Sequence, residues 1–300
     1  MKLEDRQSDN IEDRRGGGDS GGGALGGMTG GGGGQLGIGA IIILGIIGYA
    51  LGIDPRTLIS GAEMIQGVTN GGSQQVQRAS APRPAANDQT TKFVATILAE
   101  TEDVWGTVLP AQAKIRYTNP KLVLFNGETQ SECGGQAVAA MGPFYCPVDQ
   151  KVYLDTSFFA EMKGKYGGGG DFAYAYVVAH EIGHHVENLL GILPKIQQLQ
   201  EQASSKAEAN RLSVRVELMA DCLAGVWAAN ANQKWQILEP GDVEKGMATA
   251  QAIGDDRLQT AARGYSVPDS FTHGASADRQ KWLTTGLQTG QISSCMPLMQ

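Results

Sequence analysis

Apolar positions in the second half of the chain follow two spacings, and each spacing predicts a different element. Short apolar or alternating runs bounded by turn residues predict strands at residues 114–117, 122–125 and 151–154. Helical spacing predicts an amphipathic helix over residues 91–107, a buried helix from Asp171 that ends near Gly191, and another buried helix around residues 214–227. The order of a helix, short strands and then helices predicts an α+β domain that is mainly helical with a small β-sheet.

The first ninety residues have a different composition and divide into three regions. Residues 1–35 combine mixed charges with a glycine-rich stretch, which predicts a disordered tail. Residues 36–53 are an uncharged apolar run, and residues 54–90 become rich in Gln, Ser, Pro, Asn and Ala, which is typical of a linker. The soluble domain is therefore expected to fill residues 91–300, which is ample for one core.

The apolar run at residues 36–53 is long enough to span a thin bilayer. Its 18 residues would extend about 27 Å as a helix at roughly 1.5 Å per residue. A buried core helix and a signal peptide are the alternatives. The run begins 35 residues into the chain, lacks an adjacent positive charge and precedes Asp54-Pro55-Arg56, so a signal peptide is disfavoured. We therefore predict one transmembrane helix, whose orientation the flanking charges leave open.

The helix predicted from Asp171 carries the sequence His180-Glu181-Ile182-Gly183-His184. Residues four apart share one helix face, so His180 and His184 are able to bind one metal ion together. Glu181 lies about 100° further round the helix, where it can reach a metal-bound water without being a ligand. With only four histidines in 300 residues, a chance occurrence of this spacing is rare. The motif predicts a Zn²⁺ site in which Glu181 is the catalytic base.

A catalytic zinc ion normally has three protein ligands, and the helix around residues 214–227 offers the third. Glu217 and Asp221 are acids four residues apart in an otherwise apolar stretch. We predict that Glu217 binds the metal and that Asp221 hydrogen-bonds the second ring nitrogen of a ligand histidine. The alternative is an exposed helix on which both acids pair with Arg211 and Arg215.

These motifs resemble the gluzincin branch of zinc peptidases, in which a glutamate in an ExxxD context completes an HExxH site. More narrowly, the chain resembles a bacterial family of neutral zinc metallopeptidases. The resemblance is carried by residues 4–15, 142–147, 152–155, 180–185, 217–227, 253–259 and 271–274. It implies a zincin-like fold and a membrane-anchored enzyme that hydrolyses peptide or protein substrates.

The expected mechanism is attack of a zinc-activated water on a peptide carbonyl, with Glu181 moving the proton. The developing oxyanion needs another donor. His273 is the first candidate, and Tyr265 and Arg279 are the others. His185 points away from His184 and is expected to support the site or the core. By analogy with gluzincins, the strand at residues 152–154 offers an edge to an extended peptide.

The four cysteines all fall within the predicted domain. Cys133 and Cys146 bracket a short loop that a disulfide could close, which would leave Cys222 to pair with Cys295, although the sequence permits three pairings. An even number of cysteines favours an oxidising compartment, and four reduced buried thiols are the alternative. Together with the family resemblance, the cysteine count predicts that the domain lies outside a bacterial inner membrane, in the periplasm or the extracellular space.

The net charge of −7 argues against a nucleic-acid partner. Two other functions are compatible with the sequence. One is a catalytically silent, membrane-tethered scaffold or binding protein that keeps zinc for stability. The other is a membrane adaptor that acts through its tail and its predicted span. The sequence does not predict an oligomeric state.

Overall fold

The computed structural model describes residues 1–15, 88–133, 135–138, 142–159, 162 and 169–299. The predicted transmembrane helix at residues 36–53 therefore lies outside the described residues, as do residues 16–35 of the predicted tail and residues 54–87 of the predicted linker. Within the described ranges, no helix combines the length and apolar character that crossing a membrane requires.

A four-stranded sheet forms one side of the domain, as the α+β prediction required. Its strands are β1 (Ile11–Asp13), β2 (Lys121–Phe125), β5 (Phe144–Cys146) and β6 (Lys151–Asp155), in the order β1-β2-β6-β5. β1, β2 and β6 run parallel, and β5 is antiparallel to β6. A separate antiparallel hairpin consists of β3 (Glu128–Ser131) and β4 (Gly135–Val138).

The other long elements among the described residues are helices. They are α1 (Gln89–Ala113), α2 (Asp171–Leu189), α3 (Ile192–Glu201), α4 (Lys206–Trp235), α5 (Asp242–Ala252), α6 (Asp255–Arg263) and α7 (Ser276–Thr289). Short 3₁₀ helices follow at Pro268–Ser270, Ile292–Ser294 and Met296–Met299. The main core contains Trp105 of α1, Tyr176 of α2 and Trp227 of α4, which are almost completely buried.

Glycines allow α4 to approach two other helices closely. A Cβ atom on Gly286 of α7 would lie 1.9 Å from the carbonyl oxygen of Cys222, and one on Gly225 would lie 2.3 Å from that of Leu283. On the other side of α4, a Cβ atom on Gly183 of α2 would lie 3.0 Å from the carbonyl oxygen of Ala220. The backbones of α2 and α4 therefore almost touch within the HExxH motif.

The prediction of a disordered tail is wrong for residues 1–15. These residues form β1 and the segment before it, which lies on the domain: Leu122 donates its N–H to the carbonyl of Asn10, and Ser8 donates its N–H to that of Ala95. The side chains of Ser8 and Asn10 both donate to Glu102. Composition did not reveal this because main-chain pairing and polar contacts hold most of the segment, and only a few apolar side chains such as Met1 and Ile11 pack against the core.

Two predictions about local structure are also wrong. Residues 114–117 are not a strand, because α1 extends to Ala113 and ends at Lys114, which has a left-handed conformation with φ of 62°. The strand at residues 152–154 offers no free edge, because β6 is paired with β2 on one side and β5 on the other. Within the described sheet, the edge strands are β1 and β5.

Both suggested disulfides are confirmed. Cys133 is joined to Cys146, which links the end of the β3 region to β5. Cys222 is joined to Cys295, which ties the C-terminal 3₁₀ turns to the middle of α4. The alternative of four reduced thiols is excluded.

Candidate metal centre

The two histidines of the motif lie side by side on the buried helix α2. The helix begins at Asp171, and its end is marked by Gly191, whose φ of 73° favours glycine. His180 and His184 are 6% and 8% exposed, and their ring centroids are 4.8 Å apart. Both rings therefore face the same narrow space.

Glu217 of α4 faces both histidines across this space. Its Oε2 atom lies 3.3 Å from Nε2 of His180, and its Oε1 atom lies 3.6 Å from Nε2 of His184. One potential ligand atom from each of the three residues lies within 4.8 Å of the others. Two imidazoles and a carboxylate are a donor set that suits a catalytic zinc ion, so the residues present fit the metal that the sequence predicts.

Each histidine is oriented by a buried carboxylate on its other ring nitrogen. Nδ1 of His180 donates to Oδ1 of Asp221 at 2.9 Å, as expected from the sequence. Nδ1 of His184 donates to Oε2 of Glu187 at 2.8 Å. These contacts place hydrogen on both Nδ1 atoms and aim both Nε2 atoms at Glu217, the arrangement that metal-binding histidines use.

Asp221 also neutralises a buried arginine. Nε and Nη2 of Arg279 each donate to the carboxylate of Asp221 at 2.9 Å, and the hydroxyl of Tyr176 donates to it at 2.5 Å. Arg279 is 2% exposed, so this two-pronged pairing is what makes its burial tolerable. Arg279 is thus committed to Asp221, whereas the alternative partner Arg211 lies 3.7 Å from Asp269.

The carboxylates of the centre favour positive charge on its histidines. Although burial opposes a charge, hydrogen bonds to Asp221 and Glu217 raise the pKa of His180 to about 10. Burial likewise opposes the charge on His184, and Glu187 raises its pKa. Burial works against the charge on Glu217, yet the neighbouring histidines hold its pKa far below its usual range. A metal ion here replaces protons, so affinity for the metal should increase with pH.

Glu181 lies beside the cluster without belonging to it. Its side chain is on α2 and the residue is 7% exposed, but it is not one of the three residues whose ligand atoms converge. Burial raises the pKa of Glu181, and the charges of His180 and His184 oppose that increase. The result is a carboxylate with more affinity for a proton than a solvated glutamate has.

His273 approaches the same region from the segment between the 3₁₀ helix Pro268–Ser270 and α7. Its Nδ1 atom lies 3.1 Å from Oδ1 of Asp255, whose Oδ2 atom accepts the N–H groups of Thr272, His273 and Gly274. A Cβ atom on Gly274 would lie 3.1 Å from Cδ2 of Leu218, next to Glu217 on α4. Asp255 therefore fixes this segment against the ligand helix.

The remaining sequence candidates have other surroundings. Tyr265 is 61% exposed and lies over the guanidinium of Arg263. His185 is fully buried: its Nε2 atom donates to the carbonyl of Thr118, and its Nδ1 atom accepts from the hydroxyl of Tyr145. Burial lowers the pKa of His185, which keeps it neutral. It connects α2 to β5.

The sequence interpretation missed the partners Glu187 and Tyr176. Glu187 lies three residues after His184, and Tyr176 lies four residues before His180, so both share a helix face with a ligand histidine. That spacing was a usable signal.

Comparison with known proteins agrees with the geometry. The family model described as "Putative neutral zinc metallopeptidase" matches residues 1–298. The uncharacterized protein YpfJ of Escherichia coli K12 is 47% identical over 291 residues, which cover 97% of this chain and 96% of that protein. The uncharacterized protein Rv2575 of Mycobacterium tuberculosis H37Rv is 45% identical over 202 residues, which cover 64% of this chain and 65% of that protein. No solved structure matches. The chain belongs to the neutral zinc metallopeptidase family that this model describes.

Proposed function

We propose that the protein is a zinc-dependent peptidase whose metal is held by His180, His184 and Glu217. The observation that carries this proposal is the position of the Glu217 carboxylate, 3.3 Å and 3.6 Å from the Nε2 atoms of the two histidines. When bound there, zinc would polarise a peptide carbonyl and increase the acidity of a water molecule.

Glu181 is proposed as the general base and acid. It accepts a proton from the attacking water and delivers that proton to the amine that leaves when the peptide bond breaks. Burial raises its pKa, which brings the carboxylate closer to the range in which it can both accept and release a proton near neutral pH. A site with only a structural purpose would not require this acid.

His273 is proposed to donate a hydrogen bond to the oxyanion. Burial opposes its charge, but its contact with Asp255 and the nearby charge of Glu217 raise the pKa of His273 and favour the protonated ring. Asp255 holds Nδ1 at 3.1 Å, which leaves the Nε2 atom for the substrate. Asp255 is then a positioning residue.

The substrate is proposed to be an extended peptide that pairs with β5. This strand lies at the edge of the described sheet. Its Tyr145 contacts His185 on α2, so β5 runs beside the helix that carries the motif. Main-chain pairing would bind peptides of many sequences.

We further propose that residues 36–53 attach the protein to a bacterial inner membrane and that the domain faces an oxidising compartment. The uncharged apolar run supports the attachment. The two disulfides support the compartment, since such bonds persist outside the reducing cytosol.

The decisive experiment compares the full-length protein with three variants, by zinc content and by cleavage of an unfolded protein. Glu181→Gln should retain zinc and lose cleavage by roughly 10²–10⁴-fold, because only proton transfer is removed. His273→Gln should also retain zinc and lose roughly 10²–10³-fold. Glu217→Gln should lose zinc, because one ligand becomes a weak neutral donor.

Glu201→Gln provides a matched control, because Glu201 is an exposed glutamate at the end of α3. It should resemble the wild type in both measurements. If Glu181→Gln binds zinc and cleaves at the wild-type rate, the peptidase mechanism is wrong. If the wild type binds zinc and cleaves nothing, the zinc-stabilised scaffold becomes the better interpretation.

A further inference from the structure

The two described residues on either side of the region 16–87 are in direct contact. Nη1 of Arg15 lies 2.7 Å from Oδ2 of Asp88, and these two residues flank the region 16–87. Arg15 is 5% exposed and also donates to Asp13 and to Thr91 of α1. The residues that flank the region are therefore joined by a partly buried ion pair.

The segment before Arg15 is part of the folded domain along its whole length. β1 pairs in parallel with β2 from Ile11 to Asp13, and Arg14 donates its N–H to the carbonyl of Leu124. At the other end, Lys2 donates its N–H to the carbonyl of Ile237. These contacts reach from the sheet to the end of α4, so residues 1–15 and the domain must occupy the same compartment.

One passage of residues 36–53 through a bilayer would separate what these contacts join. It would place residues 1–15 and residues 88–299 on opposite sides of about 30 Å of hydrocarbon, and β1 could not then pair with β2. A second passage would restore the arrangement but would need about 20 more apolar residues. Between residues 54 and 87, the longest uncharged stretch is residues 64–77, which is rich in Gly and Gln.

We infer that residues 1–15 and residues 88–299 lie on the same side of the membrane, which rules out a single crossing between them. The inference depends on the membrane attachment proposed above and replaces the single crossing expected from the sequence. Residues 1–15, the proposed catalytic centre and both disulfides then face one compartment.

Single introduced thiols test this placement, because all four native cysteines are in disulfides. Gln7→Cys places a thiol at an exposed position before β1, and Leu199→Cys places one on α3 at a residue that is 40% exposed. Each full-length variant is expressed in a bacterium, sealed membrane vesicles of one orientation are prepared, and a membrane-impermeant maleimide is added with and without detergent.

The two thiols should behave alike: both label before detergent in vesicles of one orientation, and both label only after detergent in vesicles of the opposite orientation. Labelling of one thiol before detergent and of the other only afterwards would overturn the inference and restore the single crossing. Release of the chain from the membranes by an alkaline carbonate wash would overturn the attachment to lipid. Neither result depends on zinc binding or cleavage, so a failure here is distinct from a failure of the peptidase proposal.

Discussion

A single side chain at the centre can have several partners, whereas the sequence spacing indicates only one of them. Asp221 orients His180 and at the same time neutralises Arg279 and accepts from Tyr176. Replacing it would therefore leave a buried arginine without its partner as well as an unsupported ligand. Glu187 has a simpler position, since among the described residues its Oε2 atom accepts from His184 and its Oε1 atom has no hydrogen-bond partner. A loss of metal binding is easier to interpret at Glu187 than at Asp221.

Glu100 is a buried acid on α1 that has no role in the proposed catalysis. It is 2% exposed, its Oε1 atom accepts the N–H of Glu4, and its Oε2 atom has no hydrogen-bond partner. Burial raises the pKa of Glu100 to about 7 from an ordinary value of 4.5. The folded state therefore binds this proton more tightly than the unfolded state does.

We predict that Glu100→Gln stabilises the protein at pH 8 but not at pH 4.5. Because the folded pKa is the higher one, the contribution of Glu100 to stability is greatest below pH 4.5 and declines as the pH rises to about 7. The shift corresponds to at most about 3 kcal/mol. The measurement is the difference in Tm between variant and wild type at the two pH values. Exposed Glu128→Gln is the control, and an equal difference at both pH values would contradict the prediction.

Pairs of elements determine whether the centre forms at all. α2 supplies two of the proposed ligands and α4 supplies the third, and the two backbones approach each other at Gly183 and Ala220. The two variable positions of an HExxH motif carry no metal ligand, yet one of them here is the contact point of the helices. A larger residue at Gly183 would push Glu217 away from the histidines.

We predict that Gly183→Ala weakens zinc binding and lowers Tm, whereas Gly106→Ala does neither. An added Cβ at Gly183 would lie 3.0 Å from a backbone oxygen and 3.1 Å from a backbone carbon, neither of which can rotate away. Overpacking of this kind costs about 1–3 kcal/mol. Gly106 lies in α1 with nothing within 4 Å of the added atom, and its replacement should stabilise by up to about 1 kcal/mol. Zinc titration and thermal unfolding of both variants provide the test, and unchanged zinc affinity in Gly183→Ala would contradict it.

At the scale of the whole molecule, contacts between distant parts of the chain hold the N-terminal and C-terminal segments against the domain. The Cys222–Cys295 disulfide spans 73 residues, against 13 for Cys133–Cys146. It fixes the C-terminal segment to α4 near Asp221. At the other end of the chain, the N-terminal fifteen residues supply β1, which completes the sheet.

We predict that removal of the Cys222–Cys295 bond destabilises the protein more than removal of Cys133–Cys146. By restricting the unfolded chain, a disulfide that closes the longer loop should stabilise the folded state by about 4 kcal/mol, and one that closes the shorter loop by about 3 kcal/mol. Each pair is replaced by alanines, and Tm is measured with and without reductant. Reductant should lower the Tm of the wild type and have little effect when both pairs are absent. A larger loss from the shorter loop would show that strain or packing outweighs chain restriction.

The sequence by itself determined which residues converge at the centre and the broad fold class. His180 and His184 are four residues apart, so helix geometry alone places them on one face. Glu217 and Asp221 are acids in an apolar stretch, and buried acids need partners. The cysteine pairs were also suggested by spacing. These features are local, so neighbouring residues are sufficient to define them.

Only the tertiary structure decided where distant segments meet. The docking of residues 1–15, the interior position of β6, the contact of Arg279 with Asp221 and the approach of Gly183 to Ala220 all join residues far apart in the sequence. Polar main-chain pairing and close backbone contact leave no periodic apolar pattern, so no pattern could predict them. The inference that residues 1–15 and the domain lie on one side of the membrane also depends on such contacts.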